Sequence, residues 1–170
     1  MKVALRFLVL VVFLVGCAGD DDGEIECSLE KNVLLDSYYS PQFYLRLVDA
    51  SGENLLENES IDSETIKVES DFGNYGFVYI PEIENVEPNS IDSEVQYSLG
   101  VFMPTNMETF KYQISAEGFE TVEVVIQAEQ IKEPCYSYVI PVGASVNGEA
   151  LEQMEVSETE LLVILPLATQ

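Results

Sequence analysis

The sequence predicts an all-β protein, an antiparallel β-sandwich of about seven to eight strands, and three observations carry that prediction. Apolar and polar residues alternate with a period of two through much of the chain after residue 42, which is the pattern of a strand with one face in a core. Clusters of Asp, Asn, Ser and Gly recur between these runs, and those are the residues that tight turns demand. No amphipathic helix of normal length stands out; Glu149 to Val156 is the best short candidate and reads equally well as a strand.

The N-terminal segment has another character. Lys2 and Arg6 precede an unbroken apolar run from Phe7 to Val15, and the small Gly16 follows; this is the layout of a secretory signal peptide over residues 1–16. The run is shorter than the roughly 20 apolar residues that a membrane-spanning helix needs. An ordinary cleavage site gives no reason for the cysteine that comes next. Leu14, Val15, Gly16 and Cys17 resemble the lipobox of bacterial lipoproteins. That resemblance implies that the Cys17 thiol is acylated with diacylglycerol and that Cys17 becomes the first residue of the mature chain. A thiol suits the role because its thiolate is a strong nucleophile. The alternative is a plain signal peptide beside a chance cysteine.

Asp20, Asp21 and Asp22 follow at once. Acidic side chains gain nothing from a headgroup surface and are repelled by anionic lipid, so residues 17–32 are expected to form a solvated acidic tether, with the folded domain over 33–170. The three aspartates also resemble the short acidic signal that sends lipoproteins of the Bacteroidetes group to the outer face of the outer membrane. A calcium loop fits less well: Asp20, Asp22 and Gly23 suit its start, but Lys31 stands where the loop needs a bidentate Glu.

Composition limits what the mature chain can be. Removing residues 1–16 takes away Lys2 and Arg6 and no acid, which moves the formal charge from -24 to -26. A chain this acidic repels phosphate backbones, so nucleic acid is excluded as a partner. Strong charge with few apolar residues would mean disorder; here 47% of residues are hydrophobic, so the charge belongs on the exterior of a folded domain. With Cys17 lipidated, Cys27 and Cys135 are the only cysteines left, and an exported chain lives where disulfides persist. A bridge between them would stabilise the fold by constraining the unfolded chain; two buried thiols are the alternative.

The strands follow in order. Phe43, Leu45 and Leu47 alternate with Tyr44 and Arg46, and Asp49-Ala50-Ser51-Gly52 is a turn. Thr65 to Glu69 and Tyr75 to Ile80 are the next two candidates, separated by Asp71-Phe72-Gly73-Asn74. Val95, Tyr97, Leu99 and Val101 alternate with Gln96, Ser98 and Gly100. Phe110, Tyr112 and Ile114 lead through Glu117-Gly118 to Val122, Val124 and Ile126. Tyr136 to Val142 and Glu160 to Leu165 complete the set, with Asn147-Gly148 as a further turn signal.

The stretch KYQISAEGFETVEVVI, residues 111–126, resembles the strand, tight turn and strand of transthyretin-like or carboxypeptidase-regulatory-like domains, sandwiches of immunoglobulin-like build. The opening QFYLRLVDASGENLL, residues 42–56, is similar to the first strand and polar turn of those domains, and Pro134-Cys135-Tyr136 is compatible with their exported members.

Candidate chemistry is sparse. The chain has no histidine, which removes the usual triad base and the commonest metal ligand. A carboxylate pair of the glycosidase kind remains conceivable, but among 31 acidic residues such a pair carries no information. No enzyme and no cofactor is expected. One repeat is more specific: Ser60-Ile61-Asp62-Ser63-Glu64 recurs as Ser90-Ile91-Asp92-Ser93-Glu94. Asp62, Glu64, Asp92 and Glu94 are therefore candidate calcium ligands, since carboxylates suit that hard cation; the simpler reading is two polar loops, each with a buried isoleucine. Tyr38, Tyr39, Tyr75 and Tyr79 are candidate ligand-binding residues, because exposed tyrosines stack on sugars or partner proteins; core packing is the simpler reading for most of them. The expectation is a non-enzymatic, lipid-anchored envelope protein at the outer membrane surface, anchored through Cys17 and meeting an envelope protein or a glycan. Its alternative is a carbohydrate-binding module of a surface glycan-uptake system.

Overall fold

Phe43, Leu45 and Leu47 set the pattern of the core: all three are fully buried and lie on one face of the first strand. The computed structural model describes residues 43–73, 76–104, 107–132 and 137–170, and these form two five-stranded sheets. The strands are β1 (Phe43–Val48), β2 (Lys67–Ser70), β3 (Phe77–Ile80), β4 (Ser98–Val101), β5 (Thr109–Ser115), β6 (Val122–Lys132), β7 (Ser137–Val146), β8 (Glu149–Ala150), β9 (Gln153–Ser157) and β10 (Glu160–Pro166). One sheet runs β3-β4-β1-β10-β9 and the other β2-β5-β6-β7-β8. Every strand expected from the sequence has its counterpart. β8 and β9 fall where a short helix and a strand had equal claim.

The core lies between the sheets. Leu99, Val101, Leu161, Val163 and Leu165 join the β1 residues from one side, and Phe110, Tyr112, Ile114, Val124, Ile126 and Val139 face them from the other. The Tyr112 hydroxyl donates to the Phe102 carbonyl at 2.7 Å, so its polar end enters the interior already satisfied. Phe72 meets the rings of Phe110 and Tyr112 edge-on, at centroid distances of 5.5 and 5.2 Å.

Two features depart from simple alternation. β1 pairs with β10 in parallel, Phe43 opposite Leu161 through to Val48 opposite Pro166, so one sheet is mixed while the other is antiparallel throughout. The run from Val95 to Val101 is also not one strand. Ile91–Val95 is a short helix, α1, and the strand begins only at Ser98. Ser90 caps α1, its Oγ accepting from Ser93 N at 3.3 Å, and Asp92 and Glu94 sit in the first turn, where the helix dipole favours acids. Val95 packs with Tyr44 and Leu162 in a second, smaller core. This is why Tyr44, expected on an exposed face of its strand, is only 6% exposed: α1 covers that face.

The β5–β6 turn forms where Glu117-Gly118 placed it. Gly118 has φ +83, a left-handed conformation that costs an L-residue about 1–2 kcal/mol. Space is not the constraint, since nothing lies within 4 Å of a Cβ built there. Gly118→Ala is therefore expected to lower stability by about 1–2 kcal/mol, seen as a lower urea midpoint with an unchanged m-value.

Candidate functional site

The connection from β1 to β2 is built to hold a shape. Asp49 Oδ1 accepts from Ser51 N and Oγ, both at 2.8 Å, and from Glu53 N at 2.9 Å. The Ser51 hydroxyl first, and then the Glu53 amide, hold the Asp49 carboxyl below its usual range. Gly52 takes φ +87 at the turn, Leu55 N bonds back to Leu47 O at 2.9 Å, and Leu55, Leu56 and Ile61 are buried. A loop with three apolar anchors and an internally bonded turn has little freedom left to lose on binding.

This loop faces the junction of α1 and β4 across an open cleft of about 610 Å³, lined by Arg46, Gly52, Glu53, Asn54, Glu57, Asn58, Ser93, Gln96 and Tyr97. Asn54 ties the two walls together: its Nδ2 donates to Tyr97 O at 3.1 Å while its Oδ1 accepts from Leu56 N at 3.0 Å. Gln96 Oε1 accepts from Ile83 N at 3.0 Å and its Nε2 donates to Ser93 O at 3.3 Å. Tyr97 has φ +53, a conformation that is uncommon for a bulky residue and costs of order 1–3 kcal/mol. Burial first, then a hydrogen bond to Glu82 and the charges of Glu82 and Glu57, raise the Tyr97 phenol above its ordinary value.

Arg46 is the singular member of the cleft. It is the only arginine after Arg6, and it reaches from β1 toward the end of α1, where Nη2 donates to Glu94 O. A cation at a helix C-terminus is favourable. Its Nε is buried without a hydrogen-bond partner. Among the described residues the only ion pair is the exposed Lys111–Glu123, at 3.8 Å, so Arg46 has no carboxylate partner there despite the acidity of the chain.

The candidates from the sequence fall elsewhere. Cys17, Asp20, Asp21, Asp22, Cys27, Tyr38, Tyr39, Tyr75 and Cys135 lie outside the described residues. Tyr79 packs against the main core beside Phe77 and Tyr97; burial and then the Glu59 charge raise its phenol above the usual value. The two copies of the acidic repeat adopt different structures. In the first, Asp62 caps a 3-10 turn at Ser63–Thr65, its carboxylate accepting from Glu64 N at 3.0 Å, and Ile61 is buried. In the second, Ser90 is the cap and Ile91 is 44% exposed, which corrects the expectation of a buried isoleucine in each. One copy leads into β2 and the other into β4, in opposite sheets. Asp62, Glu64, Asp92 and Glu94 are not gathered: among the described residues no group of three or more acidic side chains is placed to hold a metal ion.

A second polar cluster lies on the face that α1 covers. The Tyr44 hydroxyl donates to Glu160 Oε1 at 2.8 Å, and Ser157 Oγ donates to Glu160 Oε2 at 2.9 Å. Burial, the Glu160 hydrogen bond and the charges of Glu160 and Asp92 keep Tyr44 a neutral phenol. This cluster is internally satisfied and joins β1 to β10.

The cleft residues escaped the sequence reading because Arg46 looked like the outward residue of an ordinary strand, and Asn54, Gln96 and Tyr97 belong to no motif. The available signal was a lone arginine set mid-strand in a very acidic chain. No protein-family model matches the chain, and searches of curated proteins and of solved structures return no significant match.

Proposed function

We propose that this chain is a non-enzymatic, lipid-anchored envelope protein, displayed at the surface of the outer membrane, whose sandwich serves as an interaction module. The observation that carries the reading is the sequence Leu14-Val15-Gly16-Cys17 at the end of the apolar leader, followed by three aspartates. The same reading takes the sandwich as transthyretin-like, supported by the hairpin of β5 and β6 with its left-handed Gly118. Cys17→Ser is expected to abolish incorporation of radiolabelled palmitate and to release the protein from the membrane fraction. Labelling that persists in the variant would refute the anchor.

A second reading is favoured by the cleft, namely a carbohydrate-binding module of a surface glycan-uptake system. Its wall offers carboxylates, amides, a guanidinium and a tyrosine. Sugars present hydroxyls that both donate and accept, and such a wall meets both needs. A glycan array probed with the full-length protein separates this reading from a protein-binding role.

A further inference from the structure

Arg46 asks for an explanation that the fold does not supply. A buried donor without a partner is costly, and native structures rarely leave one. The chain carries 31 acidic residues, yet among those described none forms an ion pair with this guanidinium. The cation is instead held on the cleft wall by one carbonyl, that of Glu94. The buried Nε is out of a ligand's reach, so what Arg46 can offer across the cleft is the Nη edge of its guanidinium, and paired planar donors of that kind match a carboxylate.

The rest of the wall says what such a ligand must also carry. Glu53 and Glu57 line the same cleft and accept hydrogen bonds only, so the ligand needs donors beside its acid group. Asn58 uses its Oδ1 on Ser60 N, which leaves its amide as a donor. Tyr97 belongs to the same wall, with a left-handed backbone at φ +53 and its carbonyl held by Asn54. The cleft is open and polar, whereas sites for small compact ligands are mostly enclosed and apolar. An open trough of about 610 Å³ suits one stretch of a polymer.

The overall charge does not forbid an anion. At physiological salt the screening length is about 8 Å, so the charges that matter are those lining the cleft. Exposed carboxylates act weakly through water; the guanidinium is partly desolvated and acts more strongly.

We propose that the cleft is a subsite for an acidic sugar, a uronate residue of a glycan chain, with Arg46 taking the carboxylate and Glu53, Glu57 and Asn58 taking ring hydroxyls. The proposal rests on the carbohydrate-binding reading and narrows it to one ligand chemistry.

The test is isothermal titration of the full-length protein in detergent with galacturonate, glucuronate and mannuronate oligosaccharides. Each is paired with its methyl ester, which keeps the hydroxyls and removes the charge. At least one free acid is expected to bind about tenfold or more tightly than its ester, the scale of a hydrogen bond to a charged group. Arg46→Gln should remove that difference, Arg46→Lys should retain part of it, and Lys111→Gln, in the other sheet, should leave it unchanged. Equal binding of acid and ester by the wild-type protein would overturn the proposal while the carbohydrate reading stood. Binding of no glycan, acid or ester, would overturn both. If Arg46→Gln fails to fold, the acid-to-ester ratio of the wild-type protein decides alone.

Discussion

Phe110→Ala is expected to remove most of the stability of the sandwich. Phe110 is fully buried on β5, an interior strand of the second sheet, and its ring meets that of Phe72 edge-on. Truncating a buried phenylalanine typically costs about 3–5 kcal/mol, through lost transfer energy and the cavity left behind. A domain of this kind holds only about 5–15 kcal/mol in total. The loss should appear as a fall in the urea midpoint at constant m-value. Val78 is 46% exposed on the edge strand β3, and Val78→Ala should stay within about 0.5 kcal/mol of wild type. Comparable losses in the two variants would mean that the core is not centred between the sheets.

The second large effect concerns the proposed disulfide. In the sequence Cys135 falls between the residues of β6 and β7, and Cys27 falls in the segment expected to form the tether. Closing a loop of about 108 residues is worth roughly 4.7 kcal/mol on chain entropy alone, and measured values for native disulfides run about 2–5 kcal/mol. Non-reducing peptide mapping of the full-length protein is expected to recover the two cysteines joined. Reduction should then lower the melting temperature by roughly 5–15 °C, since each kcal/mol shifts a domain of this size by about 2–4 °C. Alkylation of both thiols without prior reduction would refute the pairing.

These two experiments probe different parts of the stability. The first acts on contacts within the folded state, and the second on the freedom of the unfolded chain.

How legible the fold was depends on the range of the interaction concerned. Side-chain alternation is a local property of extended backbone, so Phe43, Leu45 and Leu47 could be assigned to a core face without knowing what lay opposite. Gly118 was legible for the same reason, since a tight turn between two strands calls for a residue that tolerates positive φ. The apolar N-terminal run, Cys17 and the aspartates are patterns of order along the chain, and the proposed address rests on them.

What the tertiary structure alone decided is everything that depends on distant segments meeting. The parallel pairing of β1 with β10 joins residues more than a hundred positions apart, and no local pattern encodes it. Tyr44 is buried because α1 happens to cover its face of the sheet. An identical five-residue repeat is capped by Asp62 in one copy and Ser90 in the other, and its isoleucine is buried at Ile61 but exposed at Ile91, so the surroundings and not the repeat decide its structure. The cleft brings Arg46 and residues 52–58 against residues 93–97. Period and turn chemistry specify each strand by itself, but a binding surface arises only where strands and loops remote in sequence are packed side by side, and that packing is set by the burial of the whole core.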